Sequence, residues 1–256
     1  MQRVVTIKST DFFKTFMNLI VDIGNSSAKV AVFNKNEMLM RKRLGADMIN
    51  DLATIVGEYD VKACAFSSVG SPSDEAVSAI RRLVSNTLYV KGDTPTPLIC
   101  DYRTPHTLGS DRLAAAVGAA HCYPQCDLLI IDAGTCITYD YVSADGHYLG
   151  GNISPGLGMR LRALHEQTAR LPLVNVGNAE IQPYGKDTPS AIQNGVLRGM
   201  DYEIIGYLHA MLRQHPAARI FLTGGNGYRF AQEFEVERND ALVEIGLNCI
   251  LQYQEI

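Results

Sequence analysis

Two stretches of this chain repeat one pattern. Asp22-Ile23-Gly24-Asn25-Ser26 and Asp132-Ala133-Gly134-Thr135-Cys136 each close an apolar run, Leu19 to Ile23 and Leu128 to Ile131, and each opens into a second run. An apolar run that ends in a carboxylate, a glycine and a hydroxyl or amide residue reads as a buried strand leaving its sheet through a tight turn. Glycine lets the backbone approach an anion closely, and Ser, Thr and peptide N–H groups donate hydrogen bonds to it. Two such turns, nearly half the chain apart, imply a phosphate-bearing ligand held between two related half-domains. Phosphoryl transfer is therefore the first chemistry to consider.

The flanking pattern supports an α/β layer structure. Asn18 to Ile23, Lys29 to Asn34 and Glu37 to Arg43 predict a three-strand meander, followed by helix over 51–59, strand over 61–67 and helix over 73–84. Asp93-Thr94-Pro95-Thr96-Pro97 breaks the pattern. Strands predicted over 127–132, 135–142 and 147–152 repeat the N-terminal order. Helices over 158–167 and 190–214, a strand over 220–223 and a closing helix over 241–253 complete the chain.

Composition limits the partners. The 256 residues carry a formal net charge of −4, which gives no reason to expect nucleic acid or an anionic membrane. No run of eighteen apolar residues occurs, and residues 1–16 lack the apolar core and small-residue cleavage site of a secretory signal, so a cytoplasmic protein is expected. Met17 looks like a natural chain start, with residues 1–16 as an extension. Six cysteines, at 64, 100, 122, 126, 136 and 249, form no CxxC pair and read as reduced thiols.

Three places carry chemistry. At the first turn, Asp22 can hold Mg²⁺ directly or through water, Gly24, Asn25 and Ser26 can line a phosphate tail, and Lys29 offers it a positive charge. The same residues would also suit a plain hairpin turn. At the second, Asp132, Gly134 and Thr135 reappear after a fully apolar strand, with Thr135 and Thr138 expected to share one strand face. The third is Gly109-Ser110-Asp111-Arg112 at the start of a helix predicted over 110–121, with Ser110 as its cap, and Tyr102 and His106 upstream. A helix N-terminus has free N–H groups and suits an anion. Arg112 supplies a planar fork for phosphoryl or carboxylate oxygens, and Asp111 can accept a proton from an attacking hydroxyl. Leu222-Thr223-Gly224-Gly225-Asn226-Gly227 follows a strand and could cradle an adenosine or be a simple turn.

In order along the chain, Asp22-x-Gly-Asn-Ser-x-x-Lys29, Gly109-x-Asp111-Arg112, Asp132-x-Gly-Thr135-x-x-Thr138 and Gly150-Gly151-x-Ile153-x-Pro155-Gly156 resemble the motifs of type III pantothenate kinases. These belong to the acetate and sugar kinase, Hsp70 and actin superfamily, and the likeness runs from about Met17 to the C-terminus.

The resemblance implies two ribonuclease H-like half-domains, each a mixed β-sheet flanked by helices, spanning 17–110 and 111–256. It implies transfer of the ATP γ-phosphate to the terminal hydroxyl of pantothenate, the first step of coenzyme A synthesis. Asp111 would then be the general base and Arg112 a substrate and transition-state ligand. Asp22 would hold Mg²⁺, Asp132 the monovalent K⁺ or NH₄⁺, and Thr135 would touch ATP. Tyr102, Gly109 and Ser110 would help enclose pantothenate, with Thr188 completing the pocket across a homodimer interface. Thr188 could otherwise be the N-cap of a helix whose first residue is Pro189. Ser26 and Cys136 stand where the family commonly has Thr and Ala. A nucleotide-driven clamp and a kinase for another small acceptor share the phosphate machinery and differ at the acceptor pocket.

Overall fold

The computed structural model describes residues 17–24, 27–70, 74–176, 182–224 and 234–254. Asn25, Ser26, the 1–16 extension and Gly225 to Gly227 lie outside the described residues.

The first apolar run is continuous because its strand is covered on both faces. β1 (Met17–Ile23) is flanked by β2 (Ala28–Asn34), antiparallel, and by β4 (Val61–Ser68), parallel. β3 (Glu37–Arg43) and β5 (Thr87–Tyr89) close the sheet in the order β3-β2-β1-β4-β5. Leu19, Val21, Val30, Val32, Cys64 and Phe66 belong to the layer that also includes Leu52 of α1 (Met48–Glu58) and Ile80 of α2 (Asp74–Leu83). Ile20, Ala31, Ala63 and Ala65 point the other way, into the central core.

The second half repeats this order. β7 (Leu128–Ala133) pairs antiparallel with β8 (Cys136–Val142), which pairs with β9 (His147–Pro155); on its other side β7 pairs parallel with β10 (Arg219–Thr223), and β10 with β11 (Glu237–Arg238). Short β6 (Ile99–Cys100) adds to β9, giving β11-β10-β7-β8-β9-β6. The outer layer of this half is α5 (Thr188–Gln214), with α4 (Leu157–Glu166) packed against it.

Two helices, α3 (Ser110–Cys122) and α6 (Leu242–Tyr253), pack on each other between the sheets. A Cβ on Gly246 would lie 1.8 Å from the Ala114 carbonyl oxygen, and one on Gly118 2.2 Å from that of Leu242, so only glycine lets the two backbones approach this closely. α3 contacts β7 and β8, while α6 contacts β1, β2 and β4. The chain thus crosses residue 110 in both directions: β6, before it, extends the second sheet, and α6, after it, covers the first.

Three local expectations are corrected. Gly109, not Ser110, occupies the N-cap of α3, and Ser110 is its first, buried residue. The N-cap of α5 is Asp187, whose side chain accepts from the Ser190 N–H in a reciprocal capping box, so Thr188 is inside the helix and Pro189 follows it. Thr135 and Thr138 do not share a strand face: they are three residues apart, and β8 begins only at Cys136. The short strands β5, β6 and β11 were not foreseen, being two or three residues long and without a period to read.

Candidate active site

Equivalent registers place the two acidic turns at equivalent strand ends. Asp22 stands opposite Lys29 on β2 and Ser67 on β4, and Asp132 opposite Thr138 on β8 and Thr223 on β10. Ser67 Oγ donates to Asp22 Oδ1 at 3.0 Å. Burial lifts both carboxyls from the ordinary 3.8 to about 6. For Asp22 the next influence is the charge of Glu244, with Asp111 also raising it; for Asp132 it is Asp111, then the opposing charge of Lys29, then Asp22. Asp22, Asp132, Asp111 and Lys29 therefore share one electrostatic neighbourhood. The three elements singled out in the sequence converge.

Three carboxylates against one ammonium leave the cleft short of positive charge, which is the chemistry of a cation-assisted anion site. Among the described residues no three His, Cys, Asp or Glu side chains form a closed metal cage. The donor set fits a hard oxygen-seeking cation such as Mg²⁺, which keeps several of its waters and needs only one or two carboxylates.

The tip of α3 is organised by its own residues. Asp111 Oδ1 accepts from the Arg112 backbone N–H at 2.9 Å. A Cβ on Gly109 would come 2.5 Å from Asp111 Oδ1, so glycine leaves that carboxylate its place. Arg112 is buried and turned onto Asp140 of β8: Nε donates at 3.0 Å and Nη2 at 2.6 Å to Oδ1. The Tyr148 hydroxyl donates to the same oxygen at 2.6 Å. Burial works against the guanidinium charge, but the bonds and charge of Asp140 outweigh it and raise the proton affinity of Arg112. The Tyr102 ring lies 5.9 Å from the guanidinium carbon. Gly151 closes this cradle: a Cβ there would meet the Tyr139 carbonyl at 2.2 Å and both Arg112 Nη2 and Asp140 Oδ1 at 2.6 Å.

Gly134 follows Asp132 closely enough that an added Cβ would lie 3.3 Å from its carboxylate. Gly224, at φ +101°, presses onto the same turn, 2.5 Å from Asp132 Oδ1 by the same measure. Thr188 is not among these residues. It lines a separate groove of about 1080 Å³ with Pro155, Arg160, Leu164, Lys186 and Ile192.

Asp140, Tyr148 and Ser67 escaped the sequence reading. Asp140 had a signal: a carboxylate in the middle of the apolar run Ile137 to Val142 needs a partner. Ser67 had none, because its role depends on the register of β4 beside β1.

A five-strand order repeated in both sheets, a glycine-seamed helix pair and the two acidic turns define a two-lobed actin-like fold. The type III pantothenate kinase family model matches residues 18–210. The chain is 43% identical over 239 residues to a type III pantothenate kinase of Bacteroides fragilis, covering 93% of this chain and 98% of that one. It is 42% identical over 241 residues to one of Phocaeicola vulgatus, covering 93% and 99%. Among solved structures, a Campylobacter jejuni protein described as a Baf family transcriptional activator shares the fold, with a TM-score of 0.58 at 23% identity, covering 93% of this chain and 98% of that one. The chain belongs to the type III pantothenate kinase family.

Proposed function

We propose that this chain transfers the γ-phosphate of ATP to the terminal hydroxyl of pantothenate, giving 4'-phosphopantothenate for coenzyme A synthesis. Family membership supports the reaction. The observation that carries the residue assignment is that Asp111 raises both Asp22 and Asp132, beside the fixed guanidinium of Arg112.

In this reading Asp111 accepts the acceptor's proton as the phosphoryl group departs from ATP. Phosphoryl transfer runs through a loose transition state, so catalysis is mainly positioning and charge stabilisation. Two nitrogens of Arg112 are spent on Asp140, and its remaining edge, beside Tyr102, orients the substrate. Gly109 and Ser110 shape the acceptor pocket. Lys29, with Gly24, Asn25 and Ser26, receives the phosphate tail, and Gly134 and Thr135 receive it from the other lobe. Asp22 would hold Mg²⁺ and Asp132 would hold K⁺ or NH₄⁺, cations whose charge offsets that of the triphosphate when bound.

A homodimer sharing the acceptor pocket through Thr188 is part of the same proposal. Leu149 and Ile153 of β9 are 53% and 61% exposed, apolar side chains that a second copy would cover. Among the described residues no helix is long and apolar enough to cross a membrane.

The test is ADP release with pantothenate, with a panel of sugars and with no acceptor. Strict pantothenate dependence is expected; acceptor-independent hydrolysis would favour a nucleotide-driven clamp. Asp132→Ala should abolish stimulation by K⁺ over Na⁺. Persistent stimulation would move the monovalent site elsewhere.

A further inference from the structure

Glu244 is a fully buried carboxylate that the reaction above does not use. Its Oε1 accepts from Arg41 Nε at 2.8 Å, and its Oε2 has no hydrogen-bond partner among the described residues. Arg41 also donates to the Asp240 carbonyl. Retaining half a carboxylate without a partner inside a protein is costly, so the charge calls for a compensating role.

The register shows where that charge sits. Asn18 and Ile20 share with Asp22 the face of β1 that α6 covers, because strand side chains alternate. Asn18 Nδ2 donates to Asn248 Oδ1 at 2.9 Å, and Glu244 lies one helical turn from Asn248 towards the Asp22 end of β1. Across the sheet, Ile20, Ala31 and Arg41 form one row, and Asp22, Lys29 and Arg43 the next. Arg41 therefore grips Glu244 from the row directly behind Asp22.

The second half has the matching arrangement with charges exchanged. Arg112 is the third residue of α3 and Glu244 the third of α6. Asp140 stands opposite Ile130 on β8 as Ala31 stands opposite Ile20 on β2, and Gly151 follows in its row as Arg41 does. One half offers an arginine from its helix to an aspartate in the sheet, and the other a glutamate from its helix to an arginine in the sheet. Glu244 thus holds in the first half the helix position that Arg112 holds in the second.

We propose that Glu244, anchored by Arg41, is a positioning residue for the divalent-cation site: it adds a fixed negative charge behind Asp22 and draws the cation to that end of the cleft. This rests on the reading of Asp22 as the cation's carboxylate. The charge acts through the field, without contact, and its effect is strong because both groups are shielded from water.

Mn²⁺ affinity of the ADP-bound protein, measured at pH 8 by electron paramagnetic resonance without turnover, tests it. Glu244→Gln keeps an acceptor for Arg41 and should weaken Mn²⁺ about tenfold. Glu244→Leu, an apolar residue of similar size, should weaken it as much while keeping or raising the melting temperature, since Arg41 can turn to solvent. Asp22→Asn should weaken it further. Unchanged affinity in both Glu244 variants, with Asp22→Asn impaired, would overturn the role of Glu244 alone and leave it a structural partner of Arg41. Unchanged affinity in all three would overturn the assignment of Asp22, and that of Glu244 with it.

Discussion

Asp22 and Asp132 end the same strand in two copies of one sheet, and burial raises both carboxyls to about 6, yet the two halves surround them differently. Around Asp22 are Ser67, Lys29 and the Glu244 charge; around Asp132 are Asp111 and the close approach of Gly224. Repetition of a fold supplies two equivalent places for acidic turns. What each place does is then set by side chains from the shared helices, α3 over the second sheet and α6 over the first.

The largest effect should come from a helix-tip group without a counterpart in the other half. α3 carries Asp111 where α6 carries Val243. Asp111→Asn should lower kcat by at least about a thousandfold, within the range of a lost general base. Its melting temperature should stay within a few degrees, because among the described residues the side chain's hydrogen bond is to the neighbouring backbone. Near-normal turnover would remove the functional distinction between the helix tips.

Next is the buried pair. Asp140→Asn leaves Arg112 charged and buried without its carboxylate, a change that typically costs about 3–5 kcal/mol. Urea unfolding should show that loss, and KM for pantothenate should rise more than kcat falls. The equivalent position in the first half is Ala31, so Ala31→Asp should bring no function and only destabilise.

Much of this contrast was hidden in the sequence. The paired acidic turns, the meanders and the long helices were legible because apolar runs and glycines are local signals. The tip of α3 was recognised, but its cap was misplaced by one residue: Ser110 is a good capping type, and Gly109, which takes the position, presents no side chain to read. Asp140 and Glu244 could be seen as carboxylates in apolar surroundings. Their partners could not, because the Arg112–Asp140 bonds link residues 28 apart and the Arg41–Glu244 bond links residues 203 apart. Register between distant strands and helices is a tertiary quantity, and no local pattern encodes it.

A smaller effect should come from the seam both halves share. Gly246→Ala puts a methyl group into the Ala114 carbonyl, and rigid backbone on both sides must give way. Overpacking of this kind costs about 1–3 kcal/mol, and a lower melting temperature with Asp111 chemistry retained at low temperature is expected. Gly57→Ala, where an added Cβ meets nothing within 4 Å, is the control and should leave stability unchanged or slightly raised.

Ser67→Ala tests the two turns at finest scale, through pH. An acid whose folded pKa lies above its unfolded one binds extra protons in the folded state, so it favours folding most at low pH. That contribution fades as pH rises from about 4 to about 6 and then stays constant. Turnover has the opposite slope: both carboxylates must be ionised to hold cations, so activity should fall as pH drops through about 6. Ser67 donates to Asp22 and opposes the rise, and no corresponding bond restrains Asp132 among the influences on it. Removing the hydroxyl should move the acid limb of kcat/KM up by about 0.4 to 1 pH unit, the scale of one modest hydrogen bond at about 0.5–1.5 kcal/mol and 1.36 kcal/mol per unit. The matching change at Thr223, which stands opposite Asp132 on β10 as Ser67 stands opposite Asp22 on β4, should move it less; equal shifts would mean that both turns are governed alike despite their different neighbours.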